Sequence, residues 1–190
     1  MSETFPQIIL STKNLNLVFL DEKHAHEVCR YSKSNKDFFA PYGPKPFDEY
    51  FTMEYQMLRL MEEQNLRKEK KSIRFWIFKK EDVRFEKIIG DVHFMNIVWG
   101  IFLSCHLGYK FDQAEVDKGY GTEAIGAAVD FMFSDWKLHR IQANIIPENK
   151  RSQRVVEKLG FVNEGLSKKY LKLNGEWKDH LHWVKLNESI

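Results

Sequence analysis

The segment that most constrains the fold lies between Asp112 and Thr122, where an apolar β-type run ends and a helical pattern begins. Gly119 and Gly121 let its backbone turn sharply and approach a ligand closely, and Lys118 adds a positive charge. A helix that starts there presents unpaired N–H groups and the positive end of its dipole. Such a turn is typical of a phosphate site. It matches neither the Walker loop nor the dinucleotide pattern Gly-x-Gly-x-x-Gly.

The chain before this turn alternates helical and β-type patterns. The run Leu15–Leu20 is apolar and β-rich, which predicts a strand, and Asp21 is a typical N-cap for a helix that runs to about Ser32. A second helix is predicted to begin at Asp48 and to end in a charged run. Three strands joined by short links then predict an antiparallel meander. These strands are expected at 72–80, 87–99 and 101–111, with turns at Glu81-Asp82 and Trp99-Gly100.

Behind the turn the order of the elements changes. A helix that begins at Gly119 carries apolar residues at helical spacing as far as Trp136. A strand is expected at 138–146, followed by a short helix at 152–159 that ends at a glycine. The dipeptide Asn174-Gly175 predicts a hairpin between two final strands. The whole pattern predicts a mixed α+β fold, with a largely antiparallel central sheet and helices on both faces.

Composition and charge exclude several classes of protein. A chain of 190 residues is expected to form a single domain over 1–190. Its net charge of +2 lacks the basic footprint of a DNA-binding protein. Two cysteines without a Cys-x-x-Cys pair predict neither a disulfide framework nor a metal site. Met1–Pro6 lacks a basic region and a long apolar run, and no apolar stretch is long enough to cross a membrane, so we expect a cytoplasmic protein with no membrane partner.

Three further sequence blocks accompany the Gly-x-Gly turn. The strand before it, Leu107–Asp112, reads Leu-Gly-Tyr-Lys-Phe-Asp, and the turn itself is Val116–Gly121. The block Pro147–Phe161 contains an Asn-x-x-Ser motif and ends in Lys-Leu-Gly-Phe, and the block Glu164–Asp179 closes with the Asn-Gly hairpin. In this order, the blocks resemble the GNAT acetyltransferase superfamily, and especially its RimJ/RimL-type branch.

The resemblance implies the acyl-CoA N-acyltransferase fold and a direct transfer of acetyl from acetyl-CoA, a co-substrate, to an amine. The RimJ/RimL-type blocks favour the N-terminal α-amine of a protein as the acceptor. Two alternatives stay open, namely a small-molecule amine (a polyamine, an amino sugar or an antibiotic) and a CoA-binding protein without catalysis. The expected partner is therefore an amine-bearing acceptor, and the enzyme is expected to be a monomer or a homodimer.

The resemblance also assigns residues to the co-substrate. The backbone of the strand before the turn is expected to hold the pantetheine, the turn to hold the pyrophosphate, and the start of the next short helix to complete the site. Val116 and Asp117 stand where the family usually has Gln or Arg and a small residue. The predicted acetyl-CoA-binding residues are Tyr109, Lys110, Phe111, Val116, Asp117, Lys118, Gly119, Tyr120, Gly121, Thr122, Asn149, Ser152 and Arg154.

Four residues are candidates for proton transfer. Ser152 matches the serine proposed as general acid in Rim-type enzymes, although a hydroxyl at a helix start also satisfies local backbone groups. His106 is a candidate base because a histidine pKa near 6.5 suits that task, and the alternative is a histidine packed and hydrogen-bonded in the sheet. Glu164 and Asp179 are the other nearby candidate bases, and the alternative for Asp179 is a structural role in fixing the hairpin.

The absence of an evident strong base bears on the acceptor. Asn144 stands where some N-terminal acetyltransferases carry a Glu, and an amide cannot act as a base. An α-amine, with a pKa of about 7.7–8.0, is partly neutral near pH 7 without a base, whereas an amine of pKa about 10.4 is almost fully protonated. The pattern therefore favours an α-amine. Cys105 is interpreted as a buried strand residue and not as an acyl-carrying nucleophile.

Overall fold

The computed structural model describes residues 6–189, so the prediction for Met1–Phe5 lies outside the described part. Within residues 6–189 the chain forms eight strands and five helices, and no helix has both the length and the apolar character that crossing a bilayer requires. The strands are β1 (Gln7–Ser11), β2 (Leu15–Phe19), β3 (Ile73–Lys79), β4 (Gly90–Val98), β5 (Ser104–Phe111), β6 (Arg140–Ile145), β7 (Val162–Leu173) and β8 (Glu176–Leu186). The helices are α1 (Ala25–Ser34), α2 (Lys36–Phe39), α3 (Met53–Lys68), α4 (Tyr120–Ser134) and α5 (Lys150–Lys158).

The eight strands form one sheet in the order β1-β2-β3-β4-β5-β6-β8-β7. Neighbouring strands are antiparallel except β5 and β6, which run parallel. The predicted α+β class and the antiparallel meander from β3 to β5 are therefore confirmed. The sequence pattern does not predict the edge strand β1, because Gln7, Ile8 and Ser11 are exposed and the strand lacks a clear alternation of buried and exposed positions.

Both faces of the sheet are covered, and β3 shows how. Phe75 and Ile77 pack into the core that α4 and α5 complete, whereas Trp76 and Phe78 pack into a second core with residues of α1 and α3. Successive side chains of a strand point to opposite faces, so one strand serves both cores. We call the two sides the α4 face and the α1 face.

Two links that were expected to be tight turns are longer loops. The link between β3 and β4 spans residues 80–89. In it the carboxylate of Asp82 accepts the backbone N–H groups of Glu86 (3.1 Å) and Lys87 (2.8 Å), which builds a wide turn. The link between β4 and β5 spans residues 99–103. Consequently β4 and β5 begin three residues later than predicted, at Gly90 and Ser104.

The start of α4 is anchored to the first hairpin of the sheet. The helix begins at Tyr120, one residue after the predicted start at Gly119, and the carboxylate of Glu123 in its first turn accepts three hydrogen bonds. The donors are Thr12 Oγ1 (2.6 Å) and the backbone N–H and Nδ2 of Asn14 (2.7 and 2.8 Å). The helix ends at Ser134, two residues before the predicted end. The anchor fixes the N-terminus of α4, and therefore the preceding turn, relative to the sheet.

Candidate active site

A gap opens in the middle of the sheet between β5 and β6. The two strands pair from Ser104 to Leu107 on β5, opposite Arg140 to Ala143 on β6, and the pairing stops there. Beyond that point β5 continues to Phe111 paired with β4, and β6 continues to Ile145 paired with β8. Within residues 6–189, the edge of β5 from Gly108 onward therefore has no strand partner on the β6 side. An extended ligand with amide groups can pair with such an edge as an added strand does.

The Gly-x-Gly turn lies at the end of β5 and leads into α4. Gly119 has a φ of +85° and Asp117 a φ of +61°, so the backbone passes through left-handed conformations before the helix begins. In the described part of the chain no side chain caps the first N–H groups of α4. These groups, together with the helix dipole, form an anion site. The backbone of Val116–Thr122 thus has a geometry that is compatible with an anion, and its binding of the pyrophosphate stays a prediction.

Three lysines surround one buried carboxylate beside this turn. Glu115 is 4% exposed and pairs with Lys79 (3.1 Å), Lys87 (3.2 Å) and Lys118 (3.0 Å). Burial alone would raise the pKa of Glu115, but the hydrogen bonds from the lysines outweigh it and lower the pKa to about 2. Three ammonium groups against one carboxylate leave the neighbourhood of the turn positively charged, which suits a phosphate ligand.

Replacing Glu115 by glutamine should lower the free energy of unfolding by about 1–2 kcal/mol at pH 7, because solvent screens two of the three lysines. The folded-state pKa of about 2 lies below the unfolded value of about 4.3, so the stabilisation is complete above about pH 5 and is lost as pH falls toward 2. Urea unfolding of both proteins between pH 2 and 7 checks this. The exposed Glu86→Gln is the control, and a pH-independent difference for Glu115→Gln would contradict the assignment.

Asp117, in the Gly-x-Gly turn, pairs with a residue in the first turn of α5. Its carboxylate accepts a hydrogen bond from the guanidinium of Arg151 at 3.2 Å, and the same guanidinium lies 5.8 Å from the ring centroid of Phe38. Arg151 therefore compensates the negative charge of Asp117, the residue that departs from the family pattern in this turn. The sequence does not predict the pairing of Arg151 with Asp117, since nothing local pairs positions 117 and 151.

The N-terminus of α5 brings two predicted residues together with a third. The Oδ1 of Asn149 accepts the backbone N–H of Ser152 at 3.1 Å, so the Asn149 side chain caps the helix. The phenol of Tyr109 donates to the carbonyl of Ser152 at 3.1 Å, and burial raises the pKa of Tyr109 to about 12. Within residues 6–189 the half-buried hydroxyl of Ser152 has no hydrogen-bond partner. That hydroxyl is free to donate to a ligand in the gap.

His106 lies on the α1 face beside the gap. The amide of Asn96 approaches its Nδ1 at 3.2 Å. Burial, His182 and Arg140 lower the pKa of His106 below its usual value, so the ring is neutral near pH 7. If Asn96 donates to Nδ1, the neutral ring carries its proton on Nε2 and has no free lone pair there. This geometry favours the packed, hydrogen-bonded alternative for His106 over a general base.

Glu164 is engaged in an ion pair. Both of its oxygens accept hydrogen bonds from the guanidinium of Arg140, at 2.9 and 2.6 Å, and this pairing lowers the pKa of Glu164. The carboxylate is thus held in its charged form on the α1 face. It can accept a proton only by giving up a two-point contact with arginine, which makes it a weak base.

A histidine that the sequence patterns do not single out lies next to Asn144. The Nδ1 of His182 is 2.7 Å from Oδ1 of Asn144, and its Nε2 is 2.7 Å from the hydroxyl of Ser167. Burial, His180 and Arg140 lower the pKa of His182. Both ring nitrogens are therefore occupied, and the amide at position 144 orients this neutral ring. Three strands contribute to the arrangement, which only their pairing brings together.

An aromatic pocket opens on the α1 face in front of the gap. Its cavity of about 220 Å³ reaches Gly108, the first residue of the unpaired edge of β5. The loop that covers it is tied to the tip of the β7–β8 hairpin, where Asn174 accepts the backbone N–H of Lys45 (2.6 Å) and donates to the carbonyl of Gly43 (3.3 Å). The Phe, Tyr and Trp residues that line this pocket are Tyr31, Phe39, Tyr50, Phe51, Trp76 and Tyr109.

The floor of the aromatic pocket is a buried network of paired charges. Arg74 forms ion pairs with Glu63 (2.8 Å) and with Asp91, and its guanidinium also lies 2.8 Å from Nδ1 of His93. Arg59 pairs with the same Glu63 at 3.1 Å. Burial and the two arginines lower the pKa of His93 well below its usual value, so this ring is neutral. The floor therefore holds two positive and two negative charges in contact.

The rim of the aromatic pocket carries cations without acidic partners. Lys36 lies 4.9 Å from the ring centroid of Phe51, and Lys110 lies 5.2 Å from that of Phe39. In the described chain, no carboxylate lies within ion-pair distance of either ammonium group. Nor does any group among residues 6–189 hydrogen-bond the buried hydroxyl of Tyr31. The pocket is thus electropositive and contains an unpaired hydroxyl.

Other candidate groups take no part in these contacts. Arg154 is exposed on α5. Cys105 is 1% exposed, and burial raises the pKa of its thiol to about 12, which confirms a buried strand cysteine. In the part of the chain that is described, no group of three His, Cys, Asp or Glu side chains is arranged to hold a metal ion.

Comparisons with known proteins agree with this geometry. The family model of an acetyltransferase (GNAT) domain matches residues 14–162. A probable N-acetyltransferase of Bacillus subtilis (strain 168), YjcK, is 36% identical over 179 residues, which cover 94% of this chain and 97% of that protein. A ribosomal-protein-S5-alanine acetyltransferase from Vibrio fischeri has a similar structure, with a TM-score of 0.89, 34% identity and coverage of 95% of this chain and 97% of that chain.

A structure of lower sequence identity shares the fold and contains CoA as a disulfide. Mycobacterium smegmatis RimJ, solved in complex with a CoA-disulfide, has a TM-score of 0.85 at 24% identity, and the match covers 93% of this chain and 83% of that chain. The RimJ/RimL-type resemblance of the sequence blocks is therefore confirmed. The chain belongs to the GNAT acetyltransferase family, and it is an N-acetyltransferase.

Proposed function

We propose that this enzyme transfers acetyl from acetyl-CoA directly to the N-terminal α-amine of a protein. The observation that carries the proposal is the electropositive lining of the aromatic pocket. There Lys36 and Lys110 have no acidic partner among the described residues, and Asp91 is paired with Arg74. The similarity to a ribosomal-protein-S5-alanine acetyltransferase supports a protein acceptor, and a ribosomal protein would place the reaction in the cytoplasm.

A positive pocket favours a neutral amine. Nearby cations disfavour the protonated form of a bound amine and so lower its pKa. An α-amine starts from a pKa of about 7.7–8.0, so roughly a tenth is neutral at pH 7, whereas a lysine-type amine at about 10.4 is neutral about once in a few thousand. The pocket thereby does part of the work of a general base. That role fits a site in which His106, Glu164 and His182 are each engaged by partners.

The same charges disfavour a polyamine. A spermidine-like acceptor brings several positive charges, and its recognition requires free carboxylates in the pocket. Asp91 is the carboxylate among the lining residues, and its charge is taken up by Arg74. Two further ammonium groups, of Lys36 and Lys110, repel such a ligand.

The residues around the gap divide the remaining tasks. The unpaired edge of β5 from Gly108 to Phe111 fits the pantetheine amides, and the N–H groups that follow Gly119 fit the pyrophosphate. Acetyl-CoA, when bound, supplies the activated acetyl group. We assign to the hydroxyl of Ser152 the transfer of a proton to the departing thiolate; the proton that the attacking amine releases replaces it, and the Tyr109 phenol fixes the backbone that carries this hydroxyl.

A panel of acceptors tests the proposal by the release of free CoA thiol. We expect an alanine-started peptide to be acetylated with a kcat/KM at least about 100-fold above that of spermidine, of an aminoglycoside and of a peptide with a blocked N-terminus and one lysine, in line with the neutral fractions at pH 7. Faster turnover of any of the three would contradict the proposal. CoA binding without thiol release from any amine would point to a non-catalytic protein instead.

A further inference from the structure

We propose that the aromatic pocket selects acceptors that carry a carboxylate one or two residues from the reacting amine, as in a protein N-terminus with an acidic second or third residue. This inference rests on the proposed function and names the acceptor more closely. It follows from where the pocket's charges are paired and where they are not.

The buried charges of the pocket cancel each other. Glu63 contacts Arg59 at 3.1 Å and Arg74 at 2.8 Å, and Asp91 also pairs with Arg74. The neutral ring of His93 adds no charge. The floor therefore offers no free ion to a ligand, and the selectivity for charge must come from the rim.

The rim carries two positive charges that no carboxylate of residues 6–189 pairs with. Lys36 is on α2 and Lys110 is on β5, so they approach the cavity from two sides. Each ammonium is held above an aromatic ring, at 4.9 Å from Phe51 and at 5.2 Å from Phe39, and the cation–π contact orients it over the pocket wall. The lysines next to Glu115, by contrast, share a carboxylate. An anionic group of a ligand would pair with Lys36 and Lys110.

The spacing along β5 sets the distance between the amine and the carboxylate. Lys110 lies two residues beyond Gly108 on the strand, which corresponds to about 7 Å. The gap begins at Gly108, so the reacting amine is expected there. Consecutive Cα atoms of an extended peptide are about 3.8 Å apart, so an acidic side chain on the second or third residue reaches Lys110.

Short peptide amides that begin Ala-Glu, Ala-Gln and Ala-Lys and share one uncharged tail test the inference. We expect the wild-type kcat/KM for Ala-Glu to exceed that for Ala-Gln by about tenfold, with Ala-Lys the poorest, because each exposed lysine contributes about three- to fivefold. Lys36→Gln should reduce the Ala-Glu to Ala-Gln ratio about threefold, and the double variant with Lys110→Gln should bring it near one. Lys36→Glu with Lys110→Glu should make Ala-Lys the preferred peptide.

The matched control is Lys33→Gln, which removes an exposed lysine from the neighbouring α1 and should leave the ratio at the wild-type value. A salt series adds a second readout, since about 1 M salt shortens the screening length to about 3 Å and should erase the preference. Equal rates for Ala-Glu and Ala-Gln while both are acetylated would overturn this inference and leave the proposed function standing. Absence of turnover for all peptides would overturn the proposed function itself.

The carboxylate has two possible sources, which a further pair of acceptors separates. Unblocked Ala-Ala carries its α-carboxylate one residue from the amine, and Ala-Ala amide lacks it. Two kcat/KM ratios are compared: Ala-Ala over Ala-Ala amide, and the Ala-Glu peptide amide over the Ala-Gln peptide amide. If the first ratio is larger, the natural acceptor of the rim is a small peptide. If the second ratio is larger, the natural acceptor is an acidic protein N-terminus. Either order supports a carboxylate site, whereas no preference for any carboxylate overturns it.

Discussion

Gly119→Pro is expected to weaken CoA binding by at least about 100-fold. Gly119 has a φ of +85°, whereas the proline ring fixes φ near about −65°, so the turn before α4 cannot keep its course. The N–H groups at the start of the helix then no longer point toward the pyrophosphate. A hydrogen bond to a charged group contributes about 1.5–3 kcal/mol, so the loss of two accounts for the expected drop. Calorimetric titration with CoA measures it.

Two control variants at Gly119 show whether weaker CoA binding results from a changed binding turn or from unfolding of the protein. Asparagine tolerates the left-handed conformation, and within residues 6–189 the Cβ that it adds meets nothing closer than 4 Å, so Gly119→Asn should bind CoA nearly as wild type does. Gly119→Val keeps the N–H but resists a positive φ and should fall between the two. Thermal unfolding followed by circular dichroism reports on the fold. Unchanged affinity in a folded Gly119→Pro protein would show that this turn does not hold the pyrophosphate.

Arg74→Met is expected to lower the free energy of unfolding by about 3–5 kcal/mol, since it leaves two buried carboxylates without their shared partner. Burial alone would lower the pKa of Arg74, but Glu63 and Asp91 together raise it, so the guanidinium stays charged in the folded protein. Both carboxylates are buried or nearly so, with side-chain exposures of 15% for Glu63 and 5% for Asp91. Denaturant titration at pH 7 measures the loss.

Two variants show whether the network explains that loss. Arg84→Met removes an arginine whose side chain is 74% exposed and whose pairing distance to Glu86 is 3.8 Å, so its effect should stay within about 0.5 kcal/mol. Arg74→Met combined with Asp91→Asn removes the charge that the single change leaves unpaired, since Glu63 keeps its ion pair with Arg59, and should recover part of the stability. A double variant less stable than Arg74→Met would contradict the assignment of the loss to an unpaired Asp91.

The sequence predicts those parts of the site that a single short segment of the chain forms. Gly119 predicts a sharp turn by its backbone freedom, and the structure has a left-handed conformation there, whereas Gly121 lies inside α4. Asn149 illustrates the limit of the same method. Its position within the motif predicts a contact to the co-substrate, while the structure uses its side chain to cap α5, and a sequence motif does not distinguish these two hydrogen bonds.

The parts that the sequence does not predict depend on strand register. The gap exists because β5 and β6 stop pairing after Leu107 and Ala143, a property of two segments more than thirty residues apart. The orientation of His182 by Asn144 likewise requires β8 to lie beside β6, although β7 precedes it in the chain. Local patterns fix which residues form strands but not which strands meet, so these contacts follow only from tertiary structure.

The two hydrogen bonds between Asn174 and the Gly43–Lys45 backbone bear on when an acceptor can react. They join the hairpin tip to the loop beside the aromatic pocket, so both segments should move together when an acceptor enters. Under the proposed function, a flexible N-terminal tail would reach the pocket more easily than a lysine held in a folded surface. The reaction would then favour a newly made chain, before folding or assembly hides its tail.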